Sequence, residues 1–250
     1  MERQRTVLIT GGSRGIGAET ALRCARGGWS VAITYLQDAD AAAEVVAACT
    51  EQGGDAVAIQ ADIGQPADIN RVFDSVDERF GGLGALVNNA GIIGSRGRVE
   101  DLQAEVVARV MAVNVSGLML CAREAVRRMS TKHGGPGGSI VNVSSVAATL
   151  GSAEEYVHYA ASKGAVDTIT IGLSQEVARE AIRVNAVSPG IIETDIHARA
   201  GAPDRLALLG PGMPVGRAGY AHEVADAIHW LLTDEASYVT GANLKVSGGR

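Results

Sequence analysis

The chain has 250 residues, 46% apolar and 20% charged, with a mean hydropathy of +0.12. That composition builds a sizeable core and excludes an intrinsically disordered chain. A formal net charge of −6 gives an acidic surface that repels a phosphate polymer, which argues against nucleic acid as a partner. Thirty-two glycines against six prolines, without a fixed period, mark tight turns and close backbone approaches.

Residues 1–5 carry mixed charge and only residues 7–10 precede the first glycines, so no signal-peptide core is expected there. No apolar run suggests a membrane span, and the protein is expected to be cytoplasmic, with no membrane partner. Short apolar, β-branched runs recur at 6–10, 31–35, Ala56–Gln60, Ala85–Asn88, 139–143, 183–188 and Asn243–Val246. Between the first six lie helical patterns: Ile16, Thr20, Ala21, Cys24 and Ala25 on one face, then 41–52, Pro66–Phe80, 101–132 and 157–180. Pro66 suits a first helical turn, and Gly27, Gly53 and Gly81 stand at helix ends where a left-handed residue is wanted. Strands without period-two alternation, alternating with helices, predict one doubly wound, Rossmann-type α/β domain: a parallel seven-stranded sheet with helices on both faces. Residues 189–219, rich in glycine and proline, show no clear element, and a substrate lid is expected within 190–219. Cys24, Cys49 and Cys121 have no metal-ligand spacing and read as buried thiols of a reducing compartment. The five histidines, including His222 beside Glu223, likewise form no metal pattern, so no metal is expected.

The first strand runs directly into Thr10-Gly11-Gly12-Ser13-Arg14-Gly15-Ile16-Gly17 and then a helix. A dinucleotide pyrophosphate needs this context. Gly11 permits the tight turn, Gly15 lets backbone approach the phosphates, Gly17 lets helix and strand pack closely, and the helix N-terminus supplies donors and positive dipole. A second signal is Tyr159 four residues before Lys163, on one helical face, where an ammonium is expected to lower the pKa of the phenol toward that of a useful proton donor. A third is the hydroxyl pair Ser144-Ser145 at the carboxyl end of the fifth strand, where such sheets bind ligands.

TGGSRGIG at 10–17, NNAG at 88–91, Asn114, Ser145, Tyr159 with Lys163, and Pro189-Gly190 occur together in this order. The set resembles the classical short-chain dehydrogenase/reductase family over essentially the whole chain. The resemblance implies Tyr159 as general acid/base, Ser145 bonding the substrate oxygen, Lys163 holding the nicotinamide ribose, and Asn114 kinking its helix and positioning a relay water. It also implies a cofactor path along Gly11, Ser13, Arg14, Gly15, Ile16, Gly17, Tyr35, Asp62, Ile63, Asn88, Ala90, Gly91, Tyr159, Lys163, Pro189, Gly190, Ile192 and Thr194. Asp62 also fits a turn cap. Two departures stand out: the Ser145–Tyr159 interval of 14 is one residue longer than the family's, and Ser247 stands where the family has aspartate.

The end of the second strand is Tyr35, where an NAD-selective fold places a carboxylate, and Arg14 in the glycine loop resembles the family's arginine for a 2′-phosphate; NADP(H) is therefore expected over NAD(H). Glu154 and Glu155 beside the expected mouth favour a small polar alcohol or carbonyl compound such as a sugar, polyol or ketone. Arg123, Arg127, Arg128 and Lys132, as a basic stripe, keep open an alternative, a 3-oxoacyl thioester on an acidic carrier protein. A catalytically silent dinucleotide sensor would have no need of the four catalytic residues together. The family also implies a homo-oligomer, a dimer or tetramer, through helices 101–132 and 157–180.

Overall fold

The computed structural model describes residues 5–196, 201–202 and 204–250. Seven parallel strands form the sheet: β1 (Thr6–Ile9), β2 (Ser30–Tyr35), β3 (Ala56–Gln60), β4 (Ala85–Asn88), β5 (Gly138–Val143), β6 (Ile182–Pro189) and, at one edge, the last strand, Asn243–Val246. The order is β3-β2-β1-β4-β5-β6 and then that last strand. Register carries the core. Ala32, Leu8, Leu86, Ile140 and Val184 are successive partners across the sheet, and all five lie in one apolar layer. Their strand neighbours Ile33, Ile9, Val87 and Val141 face the opposite layer, as the period of two requires.

Helices α1 (Gly15–Arg26), α2 (Ala39–Glu51) and the C-terminal helix Ala221–Leu232 cover that opposite layer with Ala21, Cys24, Cys49, Ile228 and Leu231. The first layer is closed by α3 (Pro66–Phe80), bearing Ile69, Val72, Phe73 and Val76, together with the helices after β4 and β5. Both layers are dry enough to push the buried thiols up, to about 12 at Cys24 and Cys121 and about 11 at Cys49. The doubly wound α/β architecture thus follows the hydrophobic pattern strand by strand.

Four local expectations are corrected. The stretch 101–132 is not one regular helix: α4 (Ala104–Met111) passes through a π-helical segment, Ala112–Gly117, into α5 (Leu118–Met129). The side chain of Asn114 within it bonds across to Ile92 and Ser162, and a Cβ at Gly117 would collide with the Ile63 carbonyl oxygen. The helix Ala104–Met129 is, by length and composition, long enough to cross a membrane, contrary to the sequence reading; here Val110, Leu118, Cys121, Ala125 and Met129 are buried in the domain. Residues 189–219 do contain elements: β7 (Ile192–Glu193) pairs in parallel with β8 (Gly219–Tyr220), and α8 (Arg205–Leu209) lies between them. After α1 the left-handed residue is Gly28 (φ 77°), not Gly27 (φ −81°).

The helix following β5 is α6 (Ala147–Leu150), and the long helix behind it is α7 (Val157–Val177). Between Ser145 and Tyr159 lies a turn where Gly151, Ser152 and Glu154 all have positive φ, at 75°, 49° and 63°. For a serine and a glutamate that conformation costs about 1 kcal/mol or more each.

Candidate active site

Strand order reverses between β1 and β4, and outside the carboxyl ends of the strands there opens a cleft of about 960 Å³. One side is the glycine turn. Thr34 Oγ1 accepts from the Gly11 amide at 3.0 Å, and Asn89 Nδ2 donates to the carbonyls of Thr10 (2.9 Å) and Gly11 (2.8 Å). Thr10 Oγ1 in turn accepts from the amides of Asn89 and Ala90, both at 3.0 Å. Gly11 and Gly15 take positive φ, 65° and 53°. At Gly17 a Cβ would collide with the Gly11 carbonyl oxygen and sit 2.6 Å from Asn89 Nδ2, so this glycine sets how closely α1 meets the turn. No side chain caps α1, which leaves first-turn N–H groups for a ligand, with Gly11, Ser13, Arg14, Gly15 and Ile16 lining the cleft.

Asn88 is corrected. It is buried, donates to Asn142 Oδ1 at 2.9 Å, and does not line the cleft. The lining amide is Asn89, one residue beyond the strand, and its use as a brace on the turn had no sequence signal beyond sharing the NNAG motif. Tyr35, Asp62, Ile63, Ala90 and Gly91 do line the cleft, as do Pro189, Gly190, Ile192 and Thr194. Asp62 serves as a turn cap for the Gly64 amide (2.8 Å) and pairs with Arg109 at 2.9 Å. Arg14 bridges Asp38 (3.1 Å) and Asp195 (2.9 Å), while Asp38 also caps α2 through the Ala41 amide.

The other side carries Ser145, Tyr159 and Lys163. Ser145 follows β5, takes a hydrogen bond from the Ala147 amide at 3.1 Å and is hydrogen-bonded to the Tyr159 phenol. Its neighbour Ser144 turns inward to Asp167 Oδ1 (2.5 Å) and the Lys163 carbonyl (3.2 Å), a structural position at the strand end. Buried Lys163 donates to the Val143 carbonyl at 2.6 Å and holds its ammonium 5.7 Å from the centre of the Tyr159 ring. Burial pulls Lys163 down to about 8, with Asp167 opposing. Its charge therefore costs stability below that pH. Between about 8 and its ordinary 10.5 only the unfolded chain keeps the proton, so the cost fades as pH rises. The expected lowering of Tyr159 is also corrected: burial raises its pKa, with the Ser145 hydrogen bond opposing, and the phenol is protonated at neutral pH.

Asn114 is buried in the π-helical segment with both ends of its amide bonded: Oδ1 accepts from the Ile92 amide, and Nδ2 donates to the Ile92 carbonyl and Ser162 Oγ. It does not line the cleft but faces Lys163 across Gly91, where a Cβ would lie 3.5 Å from both Asn114 Oδ1 and Lys163 Nζ. His158 bonds the Ile93 carbonyl at 2.9 Å. Among the described residues no group of three or more His, Cys, Asp or Glu could hold a metal ion. His197 lies outside the described residues.

Two charge readings are overturned. Arg123, Arg127, Arg128 and Lys132 do not form a free basic stripe on one helix: the three arginines pair with buried Glu124, Arg128 also pairs with Asp74 and Asp77, and Lys132 lies past the end of α5, in the turn Thr131–His133. Nor is the mouth acidic. Glu155 is held by Arg205 and Arg96, and Glu154 by Arg98. Arg96, Tyr156 and Arg205 line the cleft and were missed, the last because its segment carried no clear periodicity.

Known proteins place this architecture. A model of the enoyl-(acyl carrier protein) reductase family matches residues 11–250. The chain is 53% identical to an uncharacterized oxidoreductase, YgfF, of Escherichia coli, over 97% of this chain and 98% of that protein. It is 36% identical to a 3-oxoacyl-[acyl-carrier-protein] reductase of Synechocystis, over 98% and 96% of the two chains. The solved structure of a Burkholderia cenocepacia short-chain dehydrogenase in complex with NADP matches with a TM-score of 0.90 at 35% identity, covering 99% of this chain and 98% of that one. The class defined is an oxidoreductase working with a nicotinamide dinucleotide. The chain belongs to the short-chain dehydrogenase/reductase family.

Proposed function

We propose that the chain interconverts a small alcohol and its carbonyl compound with NADP(H), using Asn114, Ser145, Tyr159 and Lys163. The observation that carries this is the hydrogen-bonded Ser145–Tyr159 pair, with Lys163 behind it, in the same cleft as the glycine turn. The cleft suits the cofactor through its uncapped helix, its positive-φ glycines and the opening they border. A bound nicotinamide supplies or accepts the hydride. In reduction, Tyr159 Oη donates its proton to the substrate oxygen as negative charge develops there, and Ser145 Oγ donates a hydrogen bond to the same oxygen. The Lys163 ammonium favours the phenolate that remains, and Asn114 braces the 92–93 wall through both atoms of its amide. Oxidation reverses each transfer.

The sequence from Tyr35 to Gln37 offers no carboxylate for a ribose 2′-hydroxyl, and Arg14, held at that end of the cleft by Asp38 and Asp195, is the cation that a 2′-phosphate would draw from those carboxylates, which supports NADP(H) over NAD(H). In fluorescence titrations NADPH is expected to bind about tenfold more tightly than NADH, and Arg14→Ala to remove that margin. Equal affinities for the wild-type protein would overturn the preference. The carrier-protein reading keeps support from the Synechocystis relative, but the neutralised arginines of α5 take away the patch that would steer an acidic carrier. We read the chain as one domain with a substrate lid within 190–219, a reading supported by Ile192, Thr194, Asp195 and Arg205 on the cleft wall; 197–200 and 203 lie outside the described residues. Buried free thiols accord with a cytoplasmic setting. Self-association through α4, α5 and α7 would cover Met111, Met119 and Ile171, 37%, 50% and 52% exposed. Sedimentation should then show a dimer or tetramer, and a lone 25.7 kDa species at micromolar concentration would contradict it.

A further inference from the structure

The chain is acidic overall, yet the cleft is lined by arginines. At the glycine-turn end each has a carboxylate: Arg14 has Asp38 and Asp195, and Arg109 has Asp62. The substrate end is different. There Arg205 holds Glu155 with both terminal nitrogens, Nη1 to Oε1 at 2.9 Å and Nη2 to Oε2 at 2.8 Å, and Arg96 Nη2 reaches Oε1 at 2.8 Å. Two guanidinium groups thus share this one carboxylate, a local surplus of one positive charge; beside it Arg98 is shared by Glu154 and Glu100, and Arg250, with the terminal carboxylate, also lines the cleft.

The group is built into the fold. The Arg205 guanidinium stacks 5.4 Å from the centre of the Tyr156 ring with only 14% of its side chain exposed, and the Glu155 carbonyl accepts from the Gly97 amide at 3.0 Å. These contacts tie α8, the 152–156 turn and the 95–97 loop into one wall. Arg205 is spent on Glu155. Arg96, with 58% of its side chain exposed, uses one nitrogen there and lines the cleft with donors to spare. The same cleft lining includes the apolar side chains of Val146, Leu150 and Ile191.

We propose that the substrate end takes a carbonyl or hydroxyl compound with an apolar body and a carboxylate, the carboxylate being held by Arg96. This rests on the oxidoreductase reading above. The protein's own Glu155 shows which anion the arginine pair accommodates, and a monoanion matches the surplus charge. A sugar or polyol would leave that charge unused.

The test uses two probes of equal length, octanoate and octanamide, titrated into the NADPH-saturated protein by cofactor fluorescence. Octanoate should bind about tenfold more tightly, and the margin should shrink in high salt. Arg96→Gln should abolish it. Arg98→Gln, which removes the same charge two residues away from a side chain outside the cleft lining, should preserve it. Octanamide binding as well as octanoate, or an octanoate margin that survives Arg96→Gln, overturns the proposal. A second arm compares a medium-chain oxo acid with its methyl ester as substrates, and the acid should have the higher kcat/KM through a lower KM. Turnover of both at equal kcat/KM sinks the anion site and leaves the oxidoreductase reading standing. Selective, Arg96-dependent octanoate binding with no carbonyl compound reduced would leave the site standing and sink the reaction.

Discussion

Gly17→Ala is expected to destabilise the protein by about 1–3 kcal/mol and to weaken NADPH binding together with stability. The new methyl has no soft neighbour to displace: it meets the Gly11 carbonyl oxygen, lies 2.6 Å from Asn89 Nδ2 and is 3.0 Å from Gly12 Cα. Relief must come from moving α1 off the turn, which also parts Asn89 from the carbonyls it braces. For a chain of this length the melting temperature should fall by roughly 2–12 °C. Gly172→Ala, in α7 with nothing within 4 Å of its Cβ, is the control and should raise stability by up to about 1 kcal/mol. Equal melting temperatures for Gly17→Ala and wild type would show that the helix and turn are not held as described.

Tyr159→Phe is expected to lower kcat by about 10²–10⁴-fold, the range a positioned proton donor contributes. The substitution removes one hydroxyl and its hydrogen bond to Ser145, so the stability change should stay near 1 kcal/mol. The rate in wild type should decline as pH rises through about 8, where Lys163 loses the charge that favours the phenolate.

Much of this was legible in the sequence because two periodicities and a few fixed side-chain types carry it. Strand positions follow from short apolar runs, and the glycine spacing assigns Gly17 to helix–strand packing. What stayed hidden depends on side-chain direction. Asn88 and Asn89 are equivalent as letters, yet Asn88 ends β4 bonded to Asn142 while Asn89 turns to the glycine loop. Glu155 read as a repelling charge because its partners, Arg96 and Arg205, lie 59 and 50 residues away in sequence. The π-helical segment at 112–117 has no signature in a helical pattern, and only the family resemblance implied a kink at Asn114, whose side chain bonds across to Ile92 and Ser162. The direction of the Tyr159 shift was misjudged for a similar reason: a four-residue spacing fixes a shared face, while the balance of burial against a charge 5.7 Å away needs the packed site.

The central claim is hydride transfer at this cleft with Tyr159 as proton donor. Its most direct test is reduction of a medium-chain oxo acid with NADPH deuterated at the transferable position of nicotinamide C4, with the product analysed by mass spectrometry in wild type and Tyr159→Phe. The account predicts one deuterium on the carbinol carbon of the wild-type product and a rate about 10²–10⁴-fold lower in the variant. Product without deuterium, or equal rates in the two proteins, would contradict it.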